Sequence, residues 1–389
     1  MSNTFITTDL VAREALLLLR NNLVASMLFD RSYEGSFSGD EKVGDTVRIR
    51  RRDEGAVQEF STSITKDPIV ETNVNLRLEK HFDASFEVTT KQLTLDIQDF
   101  SSQILAPRVI RLAEAVDAYC LTKLHHLPNV AMVGSYTGTS ADIPAALPNS
   151  IASLANARRT LNELRVPLTG RVQIASPEYE ATLLGVGDFM KADSRGDQGA
   201  ALNSANLGRI MGVDTYMAQL VASGTFTPGT FTSGAINGAR TPGMTTLVID
   251  GMVGATDTLK EGDMLRIAGY GNVVVAADAT GAGSAITVTI VEPLMTDVAD
   301  NAVVTRFGDS ANTYQRHGAM FHPRAFAFAS VPLVIPPEAE GTVISFDGLS
   351  IRAIRDYDIN SKKSIMSLDV LVGAAMIDGR LGAQIVRNV

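Results

Sequence analysis

The spacing of hydrophobic positions changes several times along the chain. Near the start, Val11, Ala15, Leu18, Leu19 and Leu23 recur at helical intervals and form one stripe. This predicts a helix with Thr7, Thr8 or Asp9 as N-cap, running to about Asp30. Nothing nearby in the chain can cover that stripe, so the arm is expected to lie on a distant part of its own chain or on another subunit. The period then drops to two. Thr46-Val47-Arg48-Ile49-Arg50 alternates, as does Val74-Asn75-Leu76-Arg77-Leu78, and Phe82 to Val88 continues the pattern. The stretch between them, Asp53 to Asp67, is polar. Two long strands with a mobile tip are predicted, and such a hairpin cannot bury its own faces.

Helical spacing returns from about Asp99 to Leu127, carried by Ile104, Val109, Leu112, Ala113, Val116, Cys120 and Leu124. Pro107 should either kink this helix or mark its first turn, and Leu127-Pro128 should end it. At ~1.5 Å per residue the segment would approach 40 Å. After the Gly-, Ser-, Thr- and Pro-rich residues 130 to 148, a second helix is expected at about 149 to 165, followed by a strand Val172-Gln173-Ile174-Ala175. Ser176-Pro177-Glu178 has the form of a helix start, and that helix should end near Gly185. Residues 187 to 208 read as loop and Gly212 to Leu220 as extended chain.

Between about Ser223 and Gly308 helical periodicity disappears. Short strands are predicted at Thr245 to Ile249, Met264 to Ile267, Asn272 to Val275, Ile286 to Val291 and Val303 to Phe307, separated by Gly-containing turns. That is the pattern of a small inserted all-β module. Beyond it, Gly348 to Tyr357 and Ser364 to Leu371 should pair across the polar turn Asp358 to Lys363, and a last strand is expected from Arg380 to Val386. The fold class is α+β.

The 389 residues carry 34 Lys and Arg against 43 Asp and Glu, a formal net charge of −9. An acidic balance argues against a protein whose main task is to grip phosphates. One cysteine excludes an intrachain disulfide framework. No apolar run approaches the ~20 residues needed to span a bilayer, so no membrane partner is expected. Leu16 to Leu19 is bracketed by Arg13, Glu14 and Arg20, which predicts no signal peptide.

No catalytic constellation stands out, and neither cofactor nor metal is expected. His125 and His126 are adjacent, so on a helix they diverge by ~100°. They suit a solvated, protonated helix C-terminus better than a zinc site. His317 and His322 have poor ligand spacing, His81 is alone on a strand, and Cys120 falls on the apolar side of the long helix. Gly185-x-Gly187 and Gly269-x-Gly271 extend to no phosphate-binding fingerprint. The densest basic cluster is Arg48, Arg50, Arg51 and Arg52, followed at once by Asp53 and Glu54. Contact with nucleic acid is one reading. Mixed charge near a hairpin tip fits an ion-pairing surface for a neighbouring subunit better. Asp356, Asp358, Lys362 and Lys363 at the later turn invite the same reading.

The order of these elements resembles the major capsid protein of tailed bacteriophages. "ILAPRVIRLAEAVDAYCLTKL" (104–124) is similar to the spine helix of that fold, and "AMFHPRAFAFASVPL" (319–333) is the most specific local match. "LKEGDMLRIAG" (259–269), "NVVV" and "ITVTIVEP" resemble the inserted six-stranded barrel of the short-tailed Salmonella-type branch. The resemblance implies an N-terminal arm (1–34), an extended loop (35–90), a peripheral domain with spine helix (91–145 with 338–374), an axial domain (146–222, 312–337 and 375–389) and an inserted β-barrel-like domain (223–311). It implies a non-enzymatic coat subunit, assembled in a bacterial host's cytoplasm into hexamers and pentamers of a virion shell. The partners it implies are scaffolding and portal proteins, a decoration protein, and packaged double-stranded DNA held weakly. An encapsulin-like compartment shell is the alternative within the fold, and a surface adhesin or an enzyme with an unfamiliar site lie outside it. A loop reaching across two-folds would lie near Phe231 to Met244. The Lys–Asn crosslink of some relatives, for which Lys42, Lys66 and Asn360 would be candidates, is not expected.

Overall fold

A computed structural model describes residues 8–33, 37, 44–52, 57, 59–60, 71–89, 104–131, 146–187, 207–221, 224–254, 256–307, 313–337, 339–346, 348–359 and 363–388. The chain divides into two compact units, each assembled from separated segments.

The first unit comprises Met1–Val47, Leu76–Leu121 and Phe326–Ala375. Its sheet runs in the order Phe326–Val331, Lys363–Met376, Leu349–Asp358, Glu340–Phe346. The 14-residue strand Lys363–Met376 also pairs antiparallel with Lys80–Asp83 and Phe86–Thr89. Gly373 lies where a Cβ would come 2.2 Å from the Arg77 carbonyl oxygen, so only glycine fits. The expected pair of strands at 348–357 and 364–371 is present and longer than predicted. Glu340–Phe346 was not predicted. It is an edge strand with no fully buried position, so its pattern does not alternate.

The N-terminal helix is Thr8–Asn22, and a separate turn of helix, Ala25–Leu28, follows it. It packs on the two strands Glu340–Phe346 and Leu349–Asp358 of its own chain. Because it covers two strands, its buried face is broad: Val11, Ala12, Ala15, Leu16 and Leu19, with Leu18 half-exposed. The expected continuation to Asp30 is broken at Leu23-Val24. Here the buried carboxylate of Asp117 accepts the Val24 N–H (2.6 Å), the Ser26 N–H (3.2 Å) and the Ser26 hydroxyl (3.2 Å). Those bonds replace the next turn of the helix. Burial pushes the Asp117 carboxyl above its ordinary range, partly offset by the backbone N–H groups that it accepts.

Asp117 belongs to the long helix Ala106–Lys123, which buries Val109, Leu112, Ala113, Val116, Tyr119, Cys120 and Leu121. Pro107 is the second residue of this α-helix, and Ile104–Leu105 before it are helical with a π pitch. The α-helical part spans ~27 Å, with Ile104–Leu105 helical before it and the 3₁₀ turn Leu124–His126 after it. Residues 99–103 lie outside the described ones.

The second unit comprises Arg48–Asn75, Thr122–Ala325 and Met376–Val389. One sheet has the order Gly382–Asn388, Tyr314–Phe321, Val172–Ala175, Val213–Met217, Arg209–Ile210. Only Val172–Ala175 and Val213–Met217 run parallel. The register of Tyr314–Phe321 shifts between Arg316 and Gly318. Gly318 has φ +127°, and a Cβ there would come within 1.9 Å of the Ile174 carbonyl oxygen, so the bulge requires glycine. Helix Ile151–Glu163 is started by Ser150, and Ser176 caps the predicted helix Pro177–Leu184. Leu154, Leu161, Tyr179, Leu183, Met320 and Ile385 form the core beneath them.

A six-stranded sheet forms the rest of this unit, in the order Gly271–Val274, Met264–Ile267, Val303–Arg306, Ser233–Ile236, Thr246–Asp250, Ile286–Thr289. A bridge between Val275 and Ile290 ties its two edges together. Within the region Phe231 to Met244, expected to hold a projecting loop, residues 237–244 are turns with a bridge at Arg240, and Ser233–Ile236 form an inner strand. Its Gly234 hides it from a propensity reading. A Cβ there would meet the Asp250 carbonyl oxygen and Ile249 Cγ2 at 2.7 Å.

Replacing Asp117 by alanine strands the part-buried Val24 N–H and the buried Ser26 N–H. Chemical denaturation of Asp117→Ala should show a loss of about 2–3 kcal/mol, with Asp117→Asn losing less because one amide oxygen still accepts.

Candidate interaction surfaces

The basic row is sorted by strand alternation. Arg48, Arg50 and Arg52 are exposed, while Ile49 and Arg51 are buried on the opposite face. On the paired strand Asn73–Arg77, residues 73, 75 and 77 are exposed and Val74 and Leu76 are buried. The outer face of the first strand and its continuation therefore carries Arg48, Arg50 and Arg52. Arg50 reaches Glu71 at 3.4 Å and Arg77 reaches Asp45 at 2.8 Å, both well exposed. No ion pair to Arg48 or Arg52 occurs among the described residues. Asp53 and Glu54 lie outside those residues.

Arg51 departs from the expectation for its neighbours. Its side chain is 1% exposed. Nη1 donates to the Pro293 carbonyl oxygen (3.1 Å), and Nη2 to Glu292 Oε1 (3.2 Å) and Met295 Sδ (3.2 Å), with Asp378 at 3.7 Å. An inward position just past the strand, beside the part-buried Glu292 carboxylate, binds it within its own chain. Its partners, more than 240 residues away, could not be found from spacing.

The second predicted cluster sits at one hairpin end. Asp358 pairs with Lys363 in the register of the two strands, and Asp356 is exposed. Lys363 donates to Glu87 at 2.7 Å. Lys362 lies outside the described residues, as do Lys42, Lys66 and Asn360. Sequence reading missed the apolar character of this end: Tyr357, Ile359 and Ile365 are 45%, 68% and 43% exposed. It also missed Asp369, which accepts a two-pronged bond from Arg352 and lies 3.7 Å from His81. The signal was an aspartate inside the apolar run 368–372.

The histidines are structural. His125 and His126 occupy a 3₁₀ turn, half-buried rather than solvated. Burial, reinforced by the Arg316 guanidinium and other nearby positive groups, pushes His125 down to about 3 and His126 to about 4, so both are neutral. The buried His317 ring faces Ser176 Oγ at 3.1 Å and Glu178 at 3.8 Å, both through Nδ1. A catalytic relay needs the two partners on different nitrogens. Cys120 is buried. No group of three or more His, Cys, Asp or Glu able to hold a metal occurs among the described residues, and no helix among them is long and apolar enough to cross a membrane.

Two grooves remain. One of about 600 Å³ is lined by Arg13, Leu16, Leu17, Arg20 and residues 342–346, without a carboxylate. The other, about 350 Å³, holds Arg159, Arg266 and Glu163, and Glu163 is paired with Arg159 at 3.1 Å. Neither holds a carboxylate outside an ion pair.

No family model matches the chain, and no curated protein matches it. Solved structures do. A chain of Mycobacterium phage Che8 is similar at a TM-score of 0.50 and 15% identity, over 93% of this chain and 90% of that one. The capsid of Ralstonia phage GP4 is similar at 0.46 and 10%, over 89% and 84%. The capsid of the cyanophage P-SCSP1u is similar at 0.45 and 9%, over 88% and 83%. The first of these shows that the chain shares the fold of that Che8 chain along nearly its whole length.

A histidine held neutral lowers stability as the pH falls, because the unfolded chain takes up the protons. Stability should be full above pH 6.5 and decline below it, by roughly 1–2 kcal/mol per ring at pH 5. Urea unfolding at pH 7 and pH 5 checks this, and the double variant His125→Gln, His126→Gln should lose most of the difference.

Proposed function

We propose that this chain is a major capsid protein, which builds an icosahedral shell around a phage DNA genome from many copies of itself. The observation that carries the reading is the fold shared with the Mycobacterium phage Che8 chain over nine-tenths of both sequences. The motifs at 104–124, 259–269 and 319–333 support it and favour the branch with an inserted β domain. The division into arm, extended loop, peripheral, axial and inserted domains is part of this proposal, with the spans given above.

The chemistry is consistent with assembly rather than turnover. The exposed polar and apolar groups suit repeated contact with copies of the chain as hexamers and pentamers. Arg48, Arg50 and Arg52 would meet carboxylates of a neighbour. The end carrying Asp356, Asp358, Lys363, Tyr357 and Ile359 would make a mixed contact. Scaffolding, portal and decoration proteins, and weakly held double-stranded DNA, complete the partner set, with assembly in the host cytoplasm and a final place in the virion. Many such contacts, each weak, sum through multivalency.

The chain expressed alone should be run through size exclusion with light scattering and imaged by negative-stain electron microscopy. Closed shells, or tubes and spirals with hexameric texture, are the expected products. A small oligomer that stays unassembled with the scaffolding protein added would overturn the reading. In the same assay the double reversal Arg48→Glu, Arg52→Glu should cut assembled material by about tenfold or more. Its unfolding free energy should stay within ~0.5 kcal/mol of the parent, as for other exposed substitutions.

A further inference from the structure

Arg51 sits among groups brought from three separate parts of the second unit. The guanidinium comes from the hairpin, Glu292 and the Pro293 carbonyl from the end of the six-stranded sheet, and Asp378 and Gly379 from the turn into the last strand. Glu292 Oε1 accepts both Arg51 Nη2 (3.2 Å) and the Gly379 N–H (2.6 Å). Asp378 is held by a two-pronged bond from Arg380, at 2.9 and 2.7 Å. Two guanidinium groups thus face two carboxyl groups, and burial pushes the Glu292 carboxyl upward while Arg51 pulls it down. Tyr270 closes the same region, its hydroxyl accepting the Met295 N–H at 3.1 Å.

The shape of the socket is as specific as its charge. A Cβ on Gly379 would stand 2.5 Å from Pro128 Cδ, 2.8 Å from Pro128 Cγ and 2.9 Å from Glu292 Oε2. The proline ring cannot yield as a flexible side chain would. The residue at 379 must therefore be glycine for Glu292 to reach both its backbone N–H and Arg51. On the hairpin, the Arg51 N–H donates to the Thr72 carbonyl oxygen at 2.9 Å, so holding Arg51 holds both strands.

We propose that Arg51, Glu292, Asp378 and Gly379 form an in-chain latch that controls opening of the hairpin root separately from global unfolding. The latch also sets which arginines face outward. With Arg51 seated, alternation turns Arg48, Arg50 and Arg52 to the exposed side together. A one-residue slip would point all three inward and lift Arg51 out. Movement of the hairpin as a body must break a buried pair, whereas the exposed Arg50–Glu71 contact resists it little. The inference depends on the second unit alone and stands whether or not the chain builds a shell.

Amide hydrogen exchange of the full chain tests it. Arg51→Met removes the guanidinium and keeps an apolar stem. Exchange of residues 48–52 and 71–75 should then rise by about tenfold or more. Strands Ile286–Thr289 and Val303–Arg306 should stay within about twofold of the parent. Gly379→Ala leaves Arg51, Glu292, Asp378 and Arg380 all in place and should give the same hairpin-only acceleration. It also carries the test if Arg51→Met fails to fold. Unchanged protection of the hairpin in either folded variant would overturn the proposal. So would acceleration of the module strands to the same extent as the hairpin.

Discussion

Each unit of this protein is held together by backbone pairing between segments far apart in the chain. Tyr314–Phe321 lies between Val172–Ala175 and the last strand, Gly382–Asn388. Lys363–Met376 pairs with strands that begin near residue 80 as well as with its own hairpin partner. Loop closure must be met before such pairings give any return. Once formed, they place the helices, the hairpin and the six-stranded module, which have few local partners of their own. The close approaches at Gly318 and Gly373 mark where two backbones meet without room for a side chain.

The same constraint explains the polar interior. Segments that arrive from a distance end in turns whose N–H groups need acceptors. Asp117 supplies them for the break after the first helix, and Asp263 for Lys260 and Gly229 beside the six-stranded sheet. Glu292 does so for Gly379. Asn129 and Gln384 tie the chain leaving the long helix to the last strand through bonds to Gly379, Gly382 and Leu127. These groups are buried because the crossings they stabilise are buried, which separates them from the exposed charges that suit contact with other molecules.

Regular periodicity made much of the fold legible. The strands at 46–50, 172–175 and 264–267, and the helices started by Ser150 and Ser176, follow from alternation and capping chemistry that act within a few residues. Ser233–Ile236 and Glu340–Phe346 were illegible for opposite reasons. The first carries a glycine that only its neighbours explain, and the second is an edge strand with little buried surface to impose a pattern. The histidines at 125 and 126 were misjudged because sequence position suggested an exposed helix end. Their burial comes from the tertiary environment around Arg316.

The arginine row divides what each level decides. Sequence alone determined that four arginines lie on or just beyond a strand, and period two then separates Arg51 from Arg48, Arg50 and Arg52. It also determined the acidic balance, the single thiol and the lack of a recognisable catalytic set. Only the tertiary structure decided which face was inward, because a buried guanidinium needs carboxylates and carbonyls that converge on it. Those groups come from residues 292, 293 and 378, whose meeting at Arg51 depends on non-local pairing that no local pattern encodes.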